Sequence, residues 1–245
     1  MTSPRPDFSL VAARYDALRP ADEEWHELLE LLVREGGLVA RRVLDIGCGT
    51  GTLAVALAER GARVWAVDPE PAMLEVARGR IPAGVGLKEA RAERLPFKDG
   101  WFDRAVMRLV VHLVDRPAAL TEARRVLAAD GRLTIATFAP EHFDRLWLNT
   151  VFPQLAAIDR QRFPTATELE AECRAAGFSE VRSVRLSQTR LLARETCLER
   201  IRGRYISTLQ LLGAGELEEG LARAEQELPP QVEAHLEWLV SVASV

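Results

Sequence analysis

A doubly wound α/β sheet, mostly parallel and covered by helices on both faces, is the fold class this chain predicts. Three observations carry that expectation. Short apolar runs ending in glycine alternate with segments of helical periodicity. The joints between them are short, as strand–helix–strand units require. The first apolar run enters a glycine cluster, "VLDIGCGTG", that leads directly into a helical stretch. At 245 residues, nearly half of them apolar, the chain suits one such domain with helical additions.

The elements follow in order. The first ten residues read as irregular. "DEEWHELLELLVRE" (22–35) places Trp25, Leu28, Leu29 and Leu32 on one helical face, and Gly36-Gly37 stops it. "RRVLDIG" is a buried strand, "GTLAVALAER" (51–60) a helix ended by Gly61, "RVWAVD" a second strand and "PEPAMLEVARGR" a second covering helix. "GLKEA" is a weak third strand and "FDRAVMRL" a fourth. "RPAALTEARRVLAA" is a helix stopping near Asp130-Gly131, and "RLTIATF" is a fifth strand. Residues 165–176 form a helix capped by Thr165 or Thr167 and ended by Gly177. "EVRSVRLS" alternates as a sixth strand, and 237–244 is β-prone enough for a seventh. Residues 139–164 and 195–228 break the alternation. Both follow predicted strands, so they are expected to cap the ligand crevice, with residues 1–35 as an N-terminal lid region. The whole of 1–245 is read as a single domain.

Glycine lacks Cβ, so it admits unusual φ values and close approach of a ligand to the main chain. In an open parallel sheet, ligands lie outside the C-terminal strand ends. Gly47, Gly49 and Gly51 therefore form a ligand-facing surface. The second strand ends at Asp68, about twenty residues on in the way a ribose-binding carboxylate does. Beside the first strand, that carboxylate can accept hydrogen bonds from two vicinal hydroxyls. The ligand is read as adenosine-containing. A dinucleotide fingerprint puts its third glycine one position later, where this chain has Thr52, and no phosphate-loop G-x-x-x-x-G-K-[ST] occurs.

A formal charge of -4 argues against a nucleic-acid footprint. No apolar run is long enough to span a membrane and no signal-peptide core is present, so residence in the cytoplasm is expected. Cys48, Cys173 and Cys197 are too scattered for a zinc site or disulfide framework, and the four histidines show no metal-ligand spacing.

On these motifs the chain resembles the class I S-adenosylmethionine-dependent methyltransferases, particularly the small-molecule group that includes the ubiquinone and menaquinone methylases. "VLDIGCGTG", "VWAVDPEPAML", "AERLPFKDGWFDRAVMRLVVHLVD", "ALTEARRVLAADGRLTIATF" and "FPTATELEAECRAAGFSEV" carry the resemblance over roughly residues 40–186. It implies a Rossmann-like, seven-stranded sheet in the order 3-2-1-4-5-7-6 with the last strand antiparallel, and S-adenosyl-L-methionine as cofactor. It also implies roles. Gly47, Cys48, Gly49 and Gly51 form the cofactor loop, and Asp45 supports it near the methionyl amino group. Asp68 binds the ribose, Pro69 and Met73 contact adenine, and Ala92 and Glu93 meet the adenine edge. Arg108 lies near the sulfonium or the substrate entrance, and Tyr15 either folds over the methionyl end as part of a lid or packs against the first helix. Arg91 stands where relatives carry an acid, and arginine cannot accept the adenine amino hydrogens.

The acceptor side is less specified. His112, after the fourth strand, is the candidate general base, or else a packing histidine. His142 and Asp144 read as a solvated loop rather than pocket wall, and His26 and His235 as structural or surface residues. Phe143, Leu146, Trp147, Leu148, Val151 and Phe152 suggest an apolar or aromatic acceptor pocket, or the core face of a lid helix. Arg200, Arg202 and Arg204 contact an anionic substrate or, the favoured reading, form a solvated basic face. The expected function is methyl transfer to a small molecule by a monomer or homodimer. A non-catalytic cofactor-binding module, an NAD-dependent oxidoreductase and a tRNA or protein methylase are the alternatives.

Overall fold

The computed structural model describes residues 6–245; residues 1–5, part of the expected irregular N-terminus, lie outside it. The first half of the chain comprises α1 (Tyr15–Leu18), α2 (Glu23–Gly36), β1 (Arg42–Ile46), α3 (Thr52–Glu59), β2 (Arg63–Asp68), α4 (Pro71–Arg78), β3 (Gly86–Glu89) and β4 (Phe102–Arg108). The second half comprises α5 (Arg116–Val126), β5 (Leu127–Phe138), α6 (Pro140–Asp144), α7 (Leu155–Arg162), α8 (Ala166–Ala175), β6 (Glu180–Ala193), α9 (Arg194–Arg202), α10 (Ala214–Glu227) and β7 (Gln231–Ser244). The strands form one seven-stranded sheet in the order β3-β2-β1-β4-β5-β7-β6. The pairs up to β4–β5 are parallel, and β7 is antiparallel to both of its neighbours. The predicted fold class and strand order are the observed ones.

Side chains alternate across the sheet, and helices cover both faces. Leu44 and Ile46 pack on one side with Phe102, Met107, Leu120, Leu133 and Leu169. Val43 faces the other with Leu28, Leu32, Leu53, Leu57 and Val106. The helix ends are specified locally. Asp22 caps α2 by accepting from Trp25 N, and Gly37 closes it in the left-handed region at φ +61°. Thr165, of the two candidate caps, forms a reciprocal capping box with Glu168 on α8.

Three boundaries differ from the sequence reading. The helix expected to reach Asp130-Gly131 ends at Val126, because Leu127 already pairs with Phe102 of β4; the register shifts before Arg132 pairs with Arg104. Ladder formation overrides the helical propensity of "LAA". The sixth strand, expected over 180–187, runs to Ala193, and the seventh, expected over 237–244, begins at Gln231. Their antiparallel ladder extends from Glu180↔Ser244 to Ala193↔Gln231.

That extension carries the cap. Residues 139–164 supply α6, a 3-10 turn over Trp147–Thr150 and α7; residues 194–228 supply α9, a turn over Ser207–Gln210 and α10. The two insertions share a core of Leu148, Phe152, Leu155, Ile201 and Leu209, packed on Val232 and Ala234 of β7. α10 approaches closely at Gly220, where a Cβ would stand 1.9 Å from Phe152 Cε1. No helix among the described residues is long and apolar enough to cross a membrane.

Candidate functional site

At the C-terminal end of β1, Gly47 N and Cys48 N both donate to Val67 O, at 2.8 and 2.9 Å, which binds the glycine loop to β2. All three loop glycines have positive φ: +73° at Gly47, +54° at Gly49 and +81° at Gly51. Their surroundings separate their tasks. A Cβ on Gly47 would lie 2.4 Å from Val110 Cγ2, and one on Gly51 would lie 3.2 Å from both Ala77 Cβ and Ile81 Cγ2. Those two glycines admit protein. A Cβ on Gly49 meets nothing within 4 Å, so Gly49 leaves space.

Asp68 closes the other side. Its carboxylate accepts from Gly49 N at 2.8 Å and Glu70 N at 2.9 Å. Each oxygen keeps a lone pair for a further donor. Burial raises its pKa, and the two main-chain donors oppose that rise. Tyr15, Gly47, Cys48, Gly49, Asp68, Pro69, Met73, Ala92, Glu93 and Arg108 all line this crevice. Arg91 lines it too, paired with Glu93 Oε1 at 3.3 Å. The same Glu93 oxygen accepts from Asp115 N, and Glu93 Oε2 is buried without a partner.

Asp45 and Gly51, also expected at the cofactor, stand behind the crevice wall rather than in it. Asp45 is 1% exposed and its Oδ2 has no hydrogen-bond partner. Loss of water pushes its pKa up to about 7, with Arg108 opposing and Asp68 adding to the rise. Burial also raises the Cys48 thiol, so it is no nucleophile near neutral pH.

The N-terminal segment covers the crevice. Phe8, Val11, Ala12 and Tyr15 pack against Met73 and Val76 of α4. Asp16 accepts from Thr50 Oγ1 at 2.7 Å and pairs with Arg80, so the segment is tied to both the glycine loop and the end of α4. Nothing in the sequence marks Asp16, Thr50 or Arg80 as a cluster.

Beyond Arg108 lies a second cavity of ≈ 150 Å³. Its walls come from α1, α2, the loop after β4, the cap and the β6–β7 extension, and include Trp25, Phe138, Phe143, Trp147, Phe163 and Trp238. His112 lines it, stacked on Phe163 at 3.9 Å between ring centroids. Its Nδ1 is buried without a partner, and burial first, then Arg162 and Arg19, hold its pKa well below the ordinary value. His142 is a correction to the solvated-loop reading: it is buried, stacks on Phe138 and lines the cavity, with burial lowering its pKa to about 4. Asp144 stays outside, paired with Arg160. His235 also lines the cavity, because β7 begins earlier than expected. The cap hydrophobics divide. Phe143, Leu146 and Trp147 reach the cavity, while Leu148, Val151 and Phe152 form cap core. Among the described residues no group of three or more His, Cys, Asp or Glu side chains could hold a metal ion.

A profile described as a methyltransferase domain matches residues 44–135, from β1 to the middle of β5. A demethylmenaquinone methyltransferase of Thermus thermophilus is 35% identical over 202 residues, covering 70% of this chain and 91% of that protein. The chain belongs to the class I S-adenosylmethionine-dependent methyltransferase family. It spans about half the length of other curated relatives: an uncharacterised methyltransferase of Mycobacterium tuberculosis is 40% identical over 137 residues, 54% of each protein. A solved structure of a putative methyltransferase from an antibiotic biosynthesis pathway of Anabaena variabilis shares the fold. Its TM-score is 0.73 and its identity 22%, over 90% of this chain and 97% of that one.

In this member of the family the buried Asp45 has a consequence for stability. Its ordinary pKa is 3.8 and its folded value about 7, so the fold favours the protonated form. The stabilisation is fully present below about pH 4 and is lost as pH rises through about 7. Asp45→Asn cannot ionise. Ligand-free Asp45→Asn is expected to melt above the parent at about pH 8, with the gap closing towards about pH 4. Thermal melts across that range check this; a gap independent of pH refutes it.

Proposed function

We propose that the protein transfers a methyl group from S-adenosylmethionine to a nucleophilic atom of a small aromatic acceptor. One observation carries the reading: the glycine-loop crevice and the aromatic cavity are adjacent, sharing Phe8, Tyr15, Arg108, Leu109 and Leu113 as common wall.

The residues present fit the cofactor. The free lone pairs of Asp68 suit two ribose hydroxyls, and the space at Gly49 suits close approach of a ligand to main chain. The unpartnered Glu93 Oε2 suits the adenine amino group, between Pro69 and Met73, and takes over the contact that Arg91 cannot make. The unpartnered Asp45 Oδ2, behind the loop, suits the charge of the methionyl ammonium through a bridging water. When bound, the cofactor supplies an electrophilic methyl on a cationic sulfur.

The chain's own contribution is alignment and exclusion of water. Tyr15 and Phe8 cover both cavities, and the aromatic walls orient a flat acceptor. His112 is neutral near physiological pH and presents a weak base. It suits an acceptor whose proton is already acidic, such as a phenol or an enol, and not an alcohol. The test is twofold. Calorimetry should show saturable binding of S-adenosylhomocysteine, and labelled methyl from S-adenosylmethionine should move to a member of an aromatic acceptor panel. Absence of any binding to the folded protein sinks the proposal.

A further inference from the structure

The acceptor cavity holds more positive charge than its own acids neutralise. Asp22 and Glu24 are taken by Arg190, and Asp159 by Arg162 and Thr208. That leaves Arg19 and Arg200 facing the cavity, with Arg108 at its junction with the crevice. Arg200 is only 6% exposed, yet its guanidinium makes no side-chain hydrogen bond and has no carboxylate within ion-pair distance among the described residues. Its one marked contact is the Tyr205 ring, with Cζ 5.4 Å from the centroid. Arg19 lies against the same ring at 5.6 Å, oriented by its Nε, which donates to Tyr205 O at 2.8 Å. Two guanidinium groups thus flank one tyrosine.

A buried, unpaired arginine is costly, and natural folds pair such charges. Cation–π contact with the Tyr205 ring offsets only part of that cost. Guanidinium forks match planar oxyanions, and carboxylates most closely. We infer that the acceptor is a small planar carboxylic acid, whose carboxylate sits on Arg200 and Arg19 beside Tyr205 while its ring lies among the cavity aromatics. The size agrees, since a cavity of ≈ 150 Å³ is on the scale of one that takes a benzene ring. Seating an anion there would also relieve the positive field of Arg19 on His112 and make that histidine a better base. This inference rests on the cavity being the acceptor site, as proposed above.

The test uses the full chain saturated with S-adenosylhomocysteine, titrated with benzoate, benzamide and phenyl phosphate and followed by tryptophan fluorescence. Benzoate is expected to bind at least tenfold more tightly than benzamide. Arg200→Met is expected to remove that preference while leaving benzamide and S-adenosylhomocysteine affinities unchanged, and to melt no lower than the parent, because an unpaired buried charge has gone. Arg200→Lys should keep part of the preference. Equal binding of benzoate and benzamide, or no saturable benzoate binding, overturns the anion site. Tighter binding of phenyl phosphate than benzoate overturns the carboxylate assignment. A lowered melting temperature in Arg200→Met makes the guanidinium structural and overturns it too. Failure to bind S-adenosylhomocysteine at all counts against the methyltransferase reading instead, so the two failures are distinguishable.

Discussion

Asp68→Ala is expected to weaken S-adenosylhomocysteine binding about a hundredfold or more. The carboxylate accepts two main-chain N–H groups, from Gly49 and Glu70, and has spare lone pairs at the crevice. A hydrogen bond to a charged group contributes about 1.5–3 kcal/mol, so losing a pair of them to the ribose exceeds two decades of affinity. The fold itself should change less. The alanine strands two N–H groups but also removes a carboxylate whose pKa burial raises. Asp68→Asn keeps one acceptor oxygen and should fall between parent and alanine. Isothermal calorimetry measures all three. An unchanged dissociation constant in the alanine variant refutes the ribose role, and a collapse of the melting temperature assigns Asp68 to holding the loop.

The second large effect separates two glycines that look alike in the sequence. Gly49→Ala should fold, since its methyl meets no protein atom within 4 Å. The left-handed φ of +54° costs about 1–2 kcal/mol, seen as a modest fall in melting temperature. Cofactor affinity should drop steeply, because the methyl stands where the ligand is proposed to lie. Gly47→Ala carries the same backbone strain and adds a contact of 2.4 Å to Val110 Cγ2. It should lose more stability, by about 1–3 kcal/mol of overpacking. Melting curves and calorimetry on both variants check the order. Parent-like binding by Gly49→Ala would show that no ligand approaches that surface.

The sheet and the crevice at the ends of β1 and β2 were legible because their information is local. β1 runs into Gly47 and β2 ends at Asp68 beside Pro69, each just ahead of the next helix, and each expected crevice residue except Asp45 and Gly51 lines the crevice itself. The acceptor side was not, because its walls are assembled across the chain. Trp25, Gln188, Tyr205 and Trp238 meet through β6 and β7, whose added residues alternate weakly and carry Arg190 and Glu233. Gln188 shows why pattern fails there. It bonds Trp238 Nε1 on the neighbouring strand and Glu24 O and the Glu27 carboxylate on α2, contacts that no periodicity announces. The run "ERIRGRY" misleads in a different way. Positions two apart on a helix point away from each other, so Arg200 enters the cavity while Arg202 goes outward to Glu225. The two readings of this run fall on different arginines: Arg202 is half exposed and paired with Glu225, while Arg200 lines the cavity.

Phe8 and Tyr15 bound both cavities at once, and the segment that carries them is latched by Asp16 to Thr50 and Arg80. On the proposed function, the kinetic consequence is one shared doorway for two passengers. Release of that latch would then open the exits of spent cofactor and methylated product together, and would expose fresh cofactor to solvent until the doorway shuts. Turnover would then be paced by how often one ion pair lets go, and raised salt, which weakens that pair, would quicken departure while loosening retention.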